Sequence, residues 1–152
     1  MMILTVASAL AGRSSVTDQF GQRISNVRTT AYTYGVAENG AYPTSNAVGG
    51  RLKTGNVKSA AADWSRWPLG TRFRIVETNQ EYVVDDYGSA MVGTGTIDLF
   101  KASSREMDRW GVRHVTIEII EWGSPEKSLE ILSSRKKYRY IRDMVDDLQA
   151  QA

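Results

Sequence analysis

RFRIVETNQEYVVDDYGSAMVGTGTIDLF, residues 72–100, holds the pattern that decides the fold. Arg72 to Glu77 alternates apolar and polar side chains, the period of a half-buried strand. Thr78-Asn79-Gln80 is turn chemistry, and Glu81 to Asp86 is a second strand, so the two make a hairpin. Tyr87 to Thr96 is glycine-rich and bends sharply. Ile97 to Phe100 follows as a short third strand.

Upstream, Trp67-Pro68-Leu69-Gly70-Thr71 is a turn, and Val57 to Asp63 is a candidate buried strand of small residues. Val36 to Lys53 carries Glu38-Asn39-Gly40, Tyr42-Pro43 and Gly49-Gly50. That is loop chemistry, and a loop of this length in a compact domain is often a binding loop. Arg28 to Gly35 is rich in Thr and Tyr, which favours a strand. Residues 12–27 are polar and mixed and read as a linker or arm. Ile3 to Ala11 is an apolar run of small residues with small-x-small cleavage patterns but no basic residue before it, like the second half of a secretory signal.

Downstream, Ser103 to Trp110 is a short helix opened by a Ser103-x-x-Glu106 capping box and closed by Gly111. Val112 to Trp122 is the longest strand signal, with Val115, Ile117 and Ile119 on one face. Ser124-Pro125-Glu126 then starts a helical pattern in two pieces, 125–132 and 135–150. Tyr138, Ile141, Val145 and Leu148 recur at helical spacing and predict an apolar face that packs on its own domain. The expected organisation is a signal-like segment and linker over 1–22, a small barrel or sandwich over 23–123, and a helical extension over 124–152.

At 152 residues with 41% hydrophobic content, the chain has enough apolar material for one domain and too little length for two of usual size. A net charge of +2 gives no bulk argument for nucleic acid. The basic run Arg135-Lys136-Lys137, with Arg139 and Arg142, reads as a solvated helix face or a contact with an anionic surface. The absence of cysteine excludes disulfides, thiolate metal sites and a cysteine nucleophile. The apolar N-terminal run is too short to span a bilayer.

Three segments end in an aspartate beside small residues or glycine: Ala61-Ala62-Asp63, Val84-Asp85-Asp86-Tyr87-Gly88 and Ile97-Asp98-Leu99-Phe100. Read singly, each has a structural account: a turn or cap for Asp63, a solvated turn for Asp85-Asp86, outward alternation for Asp98. Read together they form an acidic constellation. A carboxyl between Ile97 and Leu99 is costly when ionised and unpaired, and a carboxyl kept protonated near neutral pH is what a general acid requires.

The ordered set Thr30-Ala31-Tyr32-Thr33, Ala61-Ala62-Asp63, Pro68-Leu69-Gly70-Thr71, Val84-Asp85-Asp86-Tyr87-Gly88, Ile97-Asp98-Leu99-Phe100 and Trp110-Gly111 resembles the three-aspartate (3D) domain family over roughly residues 28–122. The resemblance implies a six-stranded double-psi β-barrel, shared in outline with membrane-bound lytic transglycosylase A and rare-lipoprotein-A-like proteins. It implies an exported protein of the periplasm or cell envelope that cleaves peptidoglycan glycan strands. By the same carry-over Asp98 is the acid/base, Asp86 its neighbour and Asp63 the third signature aspartate. Asp86 would then raise the proton affinity of Asp98 by like charge or stabilise positive charge on the sugar. Tyr32, Tyr87, Gly88 and Asp85 are the substrate-binding candidates beside these motifs, with Tyr34 and Tyr42 as further stacking candidates. The implied reaction needs no cofactor, metal or nucleic-acid partner. The chain departs from the family pattern at Asp86-Tyr87-Gly88-Ser89, where Asp-Thr-Gly-Gly is commonest, in one extra residue between Asp86 and Asp98, and in the helical tail.

Two rival functions use the same residues. In a non-catalytic glycan-binding barrel the aspartates accept hydrogen bonds from sugar hydroxyls. In a metal-binding module Asp63, Asp85, Asp86 and Asp98 hold a hard cation. The four tryptophans, Trp64, Trp67, Trp110 and Trp122, are expected in the core.

Overall fold

A computed structural model describes residues 21–35 and 44–152 of the chain. Six strands, β1 (Arg23–Tyr32), β2 (Val57–Ala61), β3 (Arg72–Ile75), β4 (Gln80–Asp86), β5 (Ile97–Phe100) and β6 (Arg113–Glu121), close into a barrel in the order β1-β5-β2-β4-β3-β6. β1 runs parallel to β5, and β2 parallel to β4, while the other neighbours are antiparallel. This is the mainly β, six-stranded double-psi barrel with a short internal helix and a helical C-terminal extension. The signal-like run, Val36–Gly40 and Tyr42 lie outside the described residues.

The barrel interior is filled by the alternate residues that the strand period assigns to it. Val27, Ala60, Phe73, Ile75, Tyr82, Val84, Ile97, Leu99, Val115, Ile117 and Ile119 are all buried. β1 starts at Arg23, five residues before the Thr/Tyr-rich stretch at Arg28, so the linker reading of 23–27 is corrected. The cause is local. Pairing of β1 with β6 slips between Ile24 and Val27, and Asn26 takes a left-handed φ of 58° there. That bulge breaks the alternation by which a strand is recognised. Asn79 adopts the same conformation at the β3–β4 turn, one that Asn tolerates well.

α1 (Ser104–Trp110) is capped by Ser103, whose Oγ accepts from the Glu106 N–H at 3.2 Å, and Gly111 closes it at φ 62°. Trp110 turns inward and donates its Nε1–H to Thr29 Oγ1 at 3.0 Å. The extension consists of α2 (Pro125–Ser133) and α3 (Arg139–Gln151). Arg135 and its neighbours form the turn between these helices rather than the start of the second. Leu132, Ile141, Met144, Val145 and Leu148 join the same buried cluster as Trp64 and Trp67. The predicted apolar face is therefore packed on its own domain, except that Tyr138 stands at the helix cap and is half-exposed.

Backbone contacts fix the handover from barrel to extension. Gly123 donates to Thr71 Oγ1 at 3.0 Å, Ser124 N–H to the Leu69 carbonyl at 2.9 Å, and Leu69 N–H to Ser128 Oγ at 2.9 Å. A Cβ at Gly123 would collide with the carbonyl oxygens of Pro68 and Leu69, so this close approach requires glycine. Trp122 departs from expectation. It is 44% exposed, stacked on buried Trp67 with ring centroids 6.0 Å apart.

Candidate functional site

Ala61 is the reference point for the acidic residues. It pairs with Asp98 on β5 and with Asp86 on β4. Directly paired residues share a face of the sheet, so both carboxyls lie on the outer face on either side of a single methyl group. Their Cα atoms are two strand spacings apart, about 10 Å.

Simple alternation would not put Asp86 there. Val84 pairs with Ala60 and points inward, and Asp86 is two residues on. The register slips so that Ala60–Ala61 on β2 faces Val84–Asp86 on β4, leaving Asp85 as the extra residue of a bulge. The bulge moves Asp86 to the outer face. Asp85 turns beneath the 44–53 loop, where its Oδ2 accepts from Ser59 Oγ at 2.7 Å, Lys53 Nζ at 3.2 Å and Asn46 Nδ2 at 3.2 Å. Its Oδ1 is buried without a hydrogen-bond partner among the described residues.

Asp86 is partly buried. Its Oδ1 accepts from the Tyr87 N–H at 3.0 Å and its Oδ2 from the Tyr32 hydroxyl at 3.2 Å. Burial pushes its carboxyl up to about 6; the bonds from Tyr87 and Tyr32 oppose the shift, and the nearby Asp85 charge adds to it. Burial also raises Asp98, against a 2.8 Å bond donated by Thr30 Oγ1 to Asp98 Oδ1. The expected like-charge effect of Asp86 on Asp98 is thus replaced by desolvation, and the carboxylate that acts on Asp86 is Asp85. Burial first, then the negative charges of Asp86, Asp85 and Asp98, holds the Tyr32 phenol protonated well above its ordinary range. Tyr32 is therefore a fixed donor.

An aromatic shelf flanks Asp98. Phe100, two residues on along the same face, is fully buried under Tyr32 and Tyr34, with ring centroids 5.5 and 4.9 Å away, both edge-on. Tyr34 remains 40% exposed.

Asp63 stands apart from this pair. It is fully buried, with Oδ1 accepting from Ser65 N–H at 2.9 Å and Ser65 Oγ at 2.7 Å, and Oδ2 from Gly93 N–H at 2.8 Å. With Trp67, whose Nε1 donates to the Gly95 carbonyl at 3.2 Å, it pins the glycine-rich loop that leads into β5. The Asp63 side-chain bonds go to Ser65 and the loop and reach neither Asp86 nor Asp98. Gly88 opens a turn in that loop, its carbonyl accepting from Met91 N–H at 3.0 Å, and a Cβ there would meet only ordinary contact with Met91. The Tyr87 ring packs edge-on against Trp64 at 5.1 Å, and its hydroxyl accepts from Arg135 Nη1 at 3.0 Å.

Four contributors had no signal as site residues: Thr30, Asn46, Ser59 and Arg135. Thr30 was legible as part of a strand and of the first family motif, with no role of its own. Asn46 folds its loop by accepting from Val48 and Gly50 N–H while reaching Asp85, and Arg135 arrives from the extension to donate to the Ala47 carbonyl at 2.7 Å. Among the described residues no group of three or more His, Asp or Glu side chains is placed to hold a metal ion, and no helix is long and apolar enough to cross a membrane.

Residues 58–121 match the family model of the 3D domain. Over 111 residues the chain is 32% identical to the cell wall-binding protein YocH of Bacillus subtilis (strain 168), an alignment covering 72% of this chain and 37% of that protein. The chain thus spans little more than a third of the length of this curated relative.

Proposed function

The chain carries a 3D domain, and from that premise we propose that it acts at the cell wall, engaging peptidoglycan glycan strands and cleaving them by a lytic transglycosylase-type reaction. The observation that carries the proposal is the pair of half-buried carboxyls, Asp86 and Asp98, flanking Ala61 on the outer face of the barrel, both with raised proton affinity. A protonated carboxyl in such a setting is suited to general-acid work near neutral pH.

In this reading Asp98 gives its proton to the glycosidic oxygen as the C1–O bond breaks. The resulting carboxylate takes the proton of the muramyl 6-hydroxyl as O6 closes on C1. The product is a 1,6-anhydro sugar and no water is consumed. Asp86, held by Tyr32 and Tyr87, stabilises positive charge on the sugar ring when ionised. Asp63 holds the loop that delivers Asp98, while Tyr32, Asp85, Tyr87 and Gly88 shape the surface beside the carboxyls. An extracellular or cell-envelope location, periplasmic in a chain with an outer membrane, follows from this substrate.

The name of the similar Bacillus protein favours a second reading, in which the barrel binds wall glycan without cutting it. One experiment separates the two. Purified protein and its Asp98→Asn variant are incubated with peptidoglycan, and soluble products are read by mass spectrometry. Anhydro-muramyl products that vanish in the variant support the transglycosylase. Reducing-end products would replace it with a hydrolase using two carboxyls. Wall binding by both proteins with no products would leave the binding barrel.

A further inference from the structure

The C-terminal extension lies outside the matched 3D segment, yet it reaches the acidic site through a continuous line of aromatic rings. Trp64 is fully buried and donates its Nε1–H to the Asp86 carbonyl at 2.9 Å. Its ring meets Tyr87 at 5.1 Å; Tyr87 meets Tyr140 at 6.1 Å, and Tyr140 meets Tyr138 at 5.8 Å. Exposure rises along the line, from none at Trp64 to 51% at Tyr138.

Cations edge the same line. The Arg135 guanidinium lies 5.9 Å from the Tyr87 ring centre, and Lys137 Nζ lies 5.7 Å from that of Tyr138. Arg135 is committed to structure through the Ala47 carbonyl and the Tyr87 hydroxyl. Lys137 is not: neither it nor Lys136, Arg139 or Arg142 makes an ion pair among the described residues. Lys136, Arg139 and Arg142 line an open cleft with Asp143 and Asp146, which partly offset their charge. Lys137, beside the exposed ring, has no such neighbour in that cleft.

We propose that Tyr138, Tyr140 and Lys137 form a second glycan subsite on the extension, continuous with Asp86 through Tyr87, that takes a carboxylate-bearing amino-sugar strand. The proposal rests on the wall-directed reading above. An exposed tyrosine face suits the C–H face of a pyranose ring, and a lysine without an anionic partner suits a carboxylate on the lactyl group or stem peptide. Aromatic rings edged with cations also bind single-stranded nucleic acid. The 3D domain from which the extension continues favours the sugar polymer.

The test is equilibrium binding of the whole chain to purified sacculi at neutral pH. The Tyr138→Ala/Lys137→Gln variant should bind roughly fivefold to tenfold more weakly, as expected for loss of one exposed aromatic contact and one cation. It should melt at the wild-type temperature, since both side chains are surface groups. Sacculi whose carboxyls have been amidated should bind the wild type more weakly and erase the effect of Lys137→Gln. Equal binding of variant and wild type, with the wild type bound, overturns the subsite alone. An undiminished Lys137→Gln effect on amidated sacculi overturns the carboxylate assignment. Tighter binding to a single-stranded oligonucleotide than to sacculi replaces the sugar polymer with nucleic acid. A wild type that ignores sacculi overturns the wall-directed reading itself.

Discussion

Asp86→Asn should stabilise the protein at neutral pH and leave its stability in acid nearly unchanged. Burial lifts the Asp86 carboxyl from the ordinary 3.8 to about 6. Between those values the folded protein holds a proton that the unfolded chain has released. Stability therefore falls as pH rises through this window and levels off above it. The gap corresponds to about 3 kcal/mol at 1.36 kcal/mol per tenfold change in proton affinity, and partial solvent access reduces the recoverable part to about 2 kcal/mol. Asparagine resembles the protonated acid and stays neutral, and its carbonyl can still accept from the Tyr87 N–H. Urea unfolding of both proteins at about pH 3.5 and about pH 7.5 gives a double difference from which any pH-independent effect of the amide cancels. The variant's advantage should grow by about 2 kcal/mol from the lower pH to the higher. A difference independent of pH, or one that grows toward acid, would refute the burial argument.

Other outcomes follow from single bonds. Tyr32→Phe removes a donor that favours ionised Asp86, so the Asp86 titration followed by carbon-detected NMR should move up by about one pH unit, with Asp98 unmoved. Thr30→Val should raise Asp98 and leave Asp86 in place, because the two carboxyls have separate donors; a joint shift in either variant would contradict that separation. Asp63→Ala removes the acceptor of the buried Ser65 N–H and of the part-buried Gly93 N–H and should cost about 2–3 kcal/mol by chemical denaturation, and a loss below about 1 kcal/mol would show that the loop is held by other means. Met144→Ala opens a cavity in the core shared by barrel and extension, with a cost of about 2–5 kcal/mol in one cooperative transition; two separate transitions would mean that the extension unfolds alone.

The sequence was informative where the physics is local. The β3–β4 hairpin, the Ser103 cap and the apolar stripe of β6 are period and capping signals, and each stands within a few residues of its expected place. The opening of β1 was hidden because Ser25 and Asn26 sit in a bulge, and a bulge erases the two-residue rhythm. The carboxyl pair was legible as motifs, but their meeting at Ala61 is a product of barrel closure. No window of sequence contains it. The same holds for Arg135: a basic residue in a polar run has no visible target until folding brings the Ala47 carbonyl and Tyr87 within reach. Trp122 illustrates the opposite error, since a large aromatic at the end of an apolar strand reads as core although the strand has already left the barrel.

The bulge at Asp85 turns chain length into an address. A strand is a parity counter: odd positions look one way and even positions the other, and nothing in the side chain itself alters the count. Asp85 adds one step, and that step sends the next carboxyl outward. Without that slip the same run of residues would set Asp85 opposite Ala61 and turn Asp86 inward, to the side held by Val84 and Leu99. The paired acids at 85 and 86 are thus not duplicates. One is absorbed by the slip and fastens the 44–53 loop, while the other carries the proton.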